Sequence, residues 1–284
     1  MEPNFQIVSG IQMLRRLHFF EFEDLDWIPP TIRDGVTDFL EFAVVKTPLY
    51  DGIAPLLSDS ISRSRANRVV DLCSGGGGAW SRLYETCLPS GLNVTLTDLY
   101  PNQAAFERAA TASADRVTGR VESVDATRVD DSLPGFRTLF SSFHHFRPEG
   151  ARAVLVDAVE SGSPIAVFES TQRHLLLLLY MLFVPVIVLL VTPFIRPFRL
   201  SRLVFTYLLP IIPLMVAFDG FVSCLRTYTV EELESMVASL PSNDFDWQVG
   251  LSRIGSLPVG VTYLIGSPRQ AEGDSCNRVT DAVA

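Results

Sequence analysis

Val69-Val-Asp-Leu-Cys-Ser-Gly-Gly-Gly-Gly78 is the stretch that decides the fold. Residues 68–73 form a short apolar run, the length of a buried strand, and four glycines follow it directly. A helix is expected to start near Ala79 and Trp80. Glycines let the backbone take positive φ and pass close to a ligand. Asp71 stands at the end of the strand, just before the loop. Outward from there, residues 93–98 read as a second strand ending in Asp98, 21 residues after Gly77. An acid in that place can accept both hydroxyls of a ribose.

The pattern continues as alternating strands and helices. Residues 103–112 are Ala-rich and helical, 119–125 read as a third strand and 136–142 as a fourth. Pro148 suits a first helical turn, the helix runs through Val159, and Gly162 follows its end. Residues 164–169 read as a fifth strand. Later, Thr229 and Glu232 make a capping box, and Leu233, Met236, Val237 and Leu240 share one helical face. Residues 245–251 and 259–265 are the last strand candidates. The expected class is α/β, a doubly wound and mostly parallel sheet.

The N-terminal 66 residues read as helical, from Ile7, Ile11, Leu14 and Leu17 and from Val36, Phe39, Leu40 and Ala43. Trp27 is expected to pack in the core there. Pro29, Pro30, Tyr50 and Asp51 lie in the same region, and Glu21, Glu23, Asp24 and Asp26 read as a solvated acidic face. The net charge of −9 argues against nucleic acid as a partner, since phosphate neutralisation needs a basic surface. Cys73, Cys87, Cys224 and Cys276 include no C-x-x-C pair, so a thiolate metal site is not expected and a reducing compartment is. Residues 1–4 do not begin like a signal peptide, which places the catalytic part on a cytoplasmic face.

From His174 to Phe218 there is no Asp, Glu or Lys, and the three arginines, Arg196, Arg199 and Arg202, give this segment +3 of a chain total of −9. Residues 175–195 and 203–218 are uncharged runs. The first would reach roughly 31 Å as a helix, about one bilayer core, and the second only about 24 Å. Pro185, Pro193, Pro210 and Pro213 interrupt both. A spanning hairpin, a single span with a re-entrant stretch, a helical pair docked in the membrane plane and a buried hairpin of a soluble protein all compete. In-plane or re-entrant docking is favoured, with the arginines reaching to headgroups.

Known phosphate loops fit poorly. A dinucleotide Gly-x-Gly-x-x-Gly pattern counted from Gly75 meets Trp80 in its third slot, and counted from Gly76 it meets Ser81. No Gly-Lys-Ser/Thr follows the loop. The constellation as a whole resembles the class I S-adenosylmethionine-dependent methyltransferases, over roughly residues 66–172 and 226–267. In their acid-x-Gly-x-Gly-x-Gly motif Asp71, Gly75 and Gly77 match, while Cys73 replaces the first glycine. The resemblance implies a seven-stranded Rossmann-like sheet with S-adenosyl-L-methionine as cofactor. Asp71 would then lie under its methionine end, Asp98 on the ribose and Asp125 with Ala126 at the adenine. Ser141 opens the segment Ser141-Ser-Phe-His-His-Phe146 after the fourth strand, where the family often carries His-His.

The resemblance also places the apolar segment between the fifth strand and the helix leading to the sixth, at the substrate end of the sheet. The resulting organisation is a helical cap (1–66), a cofactor core (67–172), an apolar membrane-associated insertion (173–225), a completion of the sheet (226–268) and a disordered tail (269–284). The expected activity is methyl transfer to a small lipophilic acceptor, with membrane lipid as a partner. The alternatives are a non-catalytic membrane-anchored module of the same fold and a dinucleotide-dependent oxidoreductase. His144, His145 and Glu169 are candidates for a catalytic base, needed only if the acceptor loses a proton. His174, at the start of the apolar run, is expected at an interface.

Overall fold

β1 (Val69–Asp71) is buried at all three positions. The computed structural model describes residues 15–25, 27–241 and 244–269. Before β1 come α1 (Pro30–Lys46) and α2 (Ala54–Ser64). After it follow α3 (Gly78–Cys87), β2 (Val94–Leu96), α4 (Gln103–Ala112), β3 (Val117–Gly119), β4 (Phe136–Phe140), α5 (Pro148–Glu160) and β5 (Ile165–Glu169). The apolar stretch folds as α6 (Leu175–Met181), α7 (Val184–Val191), α8 (Leu200–Leu203, continued by a π-helical turn, Val204–Leu208) and α9 (Ile211–Arg226). The chain then returns through α10 (Val230–Ala238), β6 (Phe245–Arg253) and β7 (Gly260–Pro268).

The seven strands are ordered β3-β2-β1-β4-β5-β7-β6. β1 to β5 are parallel, in registers such as Val69↔Val94 and Asp71↔Thr138, and β7 runs antiparallel to both β5 and β6. The order reverses between β1 and β4, so the connections leaving those strands diverge and open a crevice at their carboxyl ends. Ile53, Leu57, Trp80, Leu83 and Phe106 cover one face of the sheet. Val154, Leu155, Leu233 and Leu240 cover the other. Thr229 and Glu232 form the expected capping box of α10.

Several expectations are corrected. The third strand is three residues long, and residues 120–125 run on as irregular chain, because this edge strand has a partner only in β2. Leu17 is not helical: its N–H donates to the Leu225 carbonyl, tying the extended residues 15–21 to the end of α9. Trp27 is 71% exposed rather than core. Glu21 is buried, not solvated, because Arg226 and Ser223 meet its carboxylate. Ile7, Ile11, Leu14, Asp26, Cys276 and the tail beyond Arg269 lie outside the described residues.

The apolar stretch packs on the N-terminal cap through a third core, in which Ile32, Val36 and Phe39 of α1 meet Val184, Val188, Ile212 and Met215. The prolines break both runs, as expected: Pro185 lies in the first turn of α7, and Pro210 and Pro213 at the start of α9, each just past a bend. His174 caps α6, its Nδ1 accepting from the Leu176 N–H at 3.2 Å. Of the three arginines expected to face headgroups, only Arg196 is exposed. Arg199 pairs with Asp34 at 2.6 Å, and the buried Arg202 pairs with Asp38 and donates to the Ile195 and Pro197 carbonyls. Carboxylates on α1 supply what the headgroups were expected to. No described helix is long and apolar enough to cross a membrane alone; two pairs, bent by 46° and 78°, together have the length and composition.

Candidate active site

The loop after β1 is built for close approach. Gly75 has φ +52°, and a Cβ there would meet nothing within 4 Å, so that side of the loop is open. Gly77, at φ +70°, has no such room: a Cβ would come 2.5 Å from Leu96 Cδ1. Of the described non-glycine residues with positive φ, Cys73 (55°) and Ser141 (44°) lie just past the ends of β1 and β4. Both border the crevice, and backbone strain of this kind concentrates where a chain must present itself to a ligand. The Cys73 thiol is pushed far up by burial and by the carboxylates around it, so it is no nucleophile.

Asp98 lies beside the loop. Its Oδ2 accepts the Gly75 N–H at 2.9 Å and its Oδ1 the Tyr100 N–H at 2.9 Å. It is only partly buried, and a carboxylate has about four acceptor sites, so it retains capacity for two hydroxyls. The Val124 N–H donates to the Asp98 carbonyl, which brings the Asp125–Ala126 turn alongside. Asp125 is exposed and caps its own turn through the Thr127 N–H and hydroxyl, while Ala126 is buried. An open loop with two carboxylates beside it fits the adenosine half of S-adenosylmethionine.

Asp71 faces inward. Its Oδ1 accepts from Thr138 Oγ1 at 2.6 Å and from the Trp80 indole at 3.2 Å. Burial pushes its carboxyl up to about 7, against the opposing pull of those hydrogen bonds. The residue that spoils the dinucleotide pattern, Trp80, therefore clamps the floor of the loop.

Ser141 Oγ bonds to Tyr50 Oη at 2.8 Å and to Ser170 Oγ at 2.6 Å, joining the cap to the ends of β4 and β5. Burial raises the Tyr50 phenol to about 12 and keeps it protonated. Beyond β4, residues 143–145 form a 3₁₀ turn that carries both candidate histidines. His144 Nδ1 meets Glu169 Oε2 at 2.7 Å, and the His144 N–H donates to Glu169 Oε1 at 3.1 Å. Glu169 is thus spent on His144 and holds that ring in place. His145 Nδ1 meets Asp24 Oδ1 at 3.0 Å. Burial disfavours the charged His145 ring, yet Asp24 and Glu21 outweigh it and lift the pKa to about 9. Asp24 in turn is drawn far down by His145 and Arg226 despite its burial.

Glu21, Asp24, Ser223 and Arg226 belong to this cluster without having been singled out for it. Arg226 binds Glu21 at 3.1 Å, Asp24 at 2.8 Å and the Phe19 carbonyl at 2.7 Å. One signal was available: Phe19-Phe-Glu-Phe-Glu-Asp24 interleaves acids with aromatics, which a solvated face has no reason to do.

No family model matches the chain, and no curated protein matches it. Solved structures do resemble it. An O-methyltransferase from neocarzinostatin biosynthesis, crystallised with S-adenosylmethionine and 2-hydroxy-5-methyl naphthoic acid, is 15% identical over 84% of this chain and 59% of its own, with a TM-score of 0.50. An O-methyltransferase family protein from Burkholderia thailandensis is 17% identical over 83% and 60%, with a TM-score of 0.51. The plantazolicin methyltransferase, bound to S-adenosylhomocysteine, is 10% identical over 87% and 93%, again at 0.51. The chain spans about three fifths of the length of the first two. At these identities the likeness is one of architecture, and the chain has the fold of the class I S-adenosylmethionine-dependent methyltransferases.

Proposed function

We propose that this chain transfers a methyl group from S-adenosylmethionine to a small lipophilic acceptor reached from a lipid surface. The observation that carries the methyl-transfer reading is the open loop at Gly75 with Asp98 2.9 Å away, at the crevice where the strand order reverses. The cofactor, when bound, supplies an electrophilic methyl on a sulfonium. The protein's share is alignment and exclusion of water. Asp98 and Asp125 would hold the adenosine half, Gly75 would admit its close approach, Gly77 would let the loop turn against Leu96, and Cys73, Ser141 and Ala126 would shape the walls. Asp71 would support the loop from beneath through Trp80 and Thr138.

The lipid part of the reading rests on the outer face of α6 to α9. Leu175, Leu182, Phe183, Leu190, Phe194, Phe198, Leu200, Leu208 and Leu214 are all well exposed there. So many exposed large apolar side chains within residues 175–214 are unusual for a soluble monomer. Helices lying in the membrane plane with this face down would keep both flanks of the insertion on one side, as a single sheet requires. A cytoplasmic membrane face is the proposed location. The neocarzinostatin enzyme's naphthoic acid partner illustrates an acceptor of the size envisaged.

The test is transfer of label from methyl-tritiated S-adenosylmethionine to a lipid extract dispersed in vesicles. The reading expects label in the organic phase, lost on Asp98→Ala. Label appearing only in protein or nucleic acid added alongside would refute the acceptor class. The oxidoreductase alternative predicts instead that NADH competes for the site.

A further inference from the structure

Glu21, His144 and His145 each turn a donor atom toward a common point, all within 4.8 Å of one another. His144 Nε2 lies 3.8 Å from Glu21 Oε1, and His145 Nε2 lies 3.6 Å from Glu21 Oε2. Both separations are too long for hydrogen bonds. The second, to the oxygen that remains available, lies close to the spacing of about 3.3–3.4 Å between two donors of one tetrahedral ion with bonds of about 2.0–2.1 Å. His144 Nε2 is fully buried and has no hydrogen-bond partner. A buried acceptor left in that state is a group that a ligand would satisfy.

The surroundings are those of ligating imidazoles. Each histidine presents Nδ1 to a carboxylate, Glu169 for His144 and Asp24 for His145. A carboxylate on Nδ1 holds a proton there, so that an ion displacing any proton from Nε2 meets the ring's lone pair. Glu21 Oε1 is held by Arg226 and by Ser223 Oγ, both at 3.1 Å, which leaves Oε2 for another partner. Glu21 and Asp24 share the Arg226 guanidinium, and Asp219 accepts the Phe22 and Glu23 N–H groups beside them.

We infer that Glu21, His144 and His145 form a binding site for a divalent transition-metal ion of zinc's class. Two imidazoles and one carboxylate suit such an ion better than magnesium or calcium, which prefer all-oxygen shells. Three protein donors leave at least one coordination position open. Glu21 and His144 are closed off from solvent, whereas the His145 side chain is 33% exposed and marks the way in. With an ion bound, both Nε2 lone pairs are ligands, so neither histidine is a proton acceptor. The site stands on these side chains alone and does not depend on the methyl-transfer reading.

The test is zinc binding to the full-length, tag-free chain after chelator treatment, by calorimetry and by X-ray absorption of the loaded protein. The expected result is one Zn²⁺ per chain, with a nitrogen/oxygen first shell at about 2.0–2.1 Å that contains two imidazoles. His145→Gln and Glu21→Gln should each weaken binding at least about tenfold. His18→Gln and His174→Gln, the chain's other two histidines, should leave it unchanged. Magnesium should not compete. Absence of stoichiometric zinc from the folded wild-type chain would overturn the site, as would a sulfur shell at about 2.3 Å or equal affinity in the Glu21 and His145 variants. Should a variant fail to fold, the absorption spectrum of the wild-type chain decides alone.

Discussion

Asp71 is kept protonated by the fold to a pH at which an ordinary carboxyl has long been charged. The folded chain holds that proton up to about 7, whereas the unfolded chain releases it near 3.8. Between those values the folded state binds more protons, so this residue makes stability fall as pH rises and then level off above about 7. Asp71→Asn keeps acceptors for Trp80 and Thr138 and removes the ionisation. Urea unfolding from pH 4 to 8 should show the variant gaining on the wild type by a few kcal/mol across the window, at about 1.4 kcal/mol for each pH unit between the two values. Parallel curves would show that Asp71 ionises freely in the fold. Only part of this was legible in the sequence. The place of Asp71 at the end of a strand before glycines could be read directly. Its inward turn could not, because it depends on Thr138, 67 residues away, and on an indole whose position looked like a defect in the motif.

Helix α1 shows why neighbouring elements outrank local pattern. Asp38 sits on it among apolar residues and receives the buried Arg202 from the far side of the insertion. Arg202 also satisfies the carbonyls of Ile195, which caps a 3₁₀ turn, and of Pro197 in the connection that follows it. Arg202→Met should cost about 3 kcal/mol, because it strips a buried carboxylate of its closest cation and orphans two carbonyls. Adding Asp38→Asn should recover part of that loss, which chemical denaturation of the single and double variants would measure. Strict additivity would mean the two side chains do not interact. The strands of the core apart from β3 and the helices α3, α4, α5 and α10 were readable from periodicity, capping and glycine placement, because those signals are local. The inward turn of Arg199 and Arg202 was not, since their partners lie about 165 residues earlier.

The apolar insertion is both a wall of the protein and a surface left uncovered. Its inner side fills a core with α1, so deleting it would expose Ile32, Val36 and Phe39 and confuse loss of docking with loss of structure. Point changes on the outer side are cleaner. Phe194 and Leu208 are 69% and 75% exposed, so aspartate at both should leave folding intact. If the face lies on lipid, the pair should weaken co-sedimentation with vesicles by roughly 2–5 kcal/mol, from lost apolar contact and added charge. Unchanged sedimentation of folded protein would remove the membrane from the account. The composition of residues 174–218 announced an apolar segment, but not that one side of it would close the cap over the sheet.

The central claim is that the loop after β1, with Asp98 beside it, holds S-adenosylmethionine. Calorimetric titration of S-adenosylhomocysteine into the purified chain, with Asp98→Ala in parallel, tests it most directly. The account predicts one site of micromolar affinity in the wild type, weakened in the variant by about 1–3 kcal/mol, or about 5- to 150-fold, because ribose hydroxyls would lose their acceptor. No binding by a folded wild-type chain, or equal binding by the variant, would contradict it.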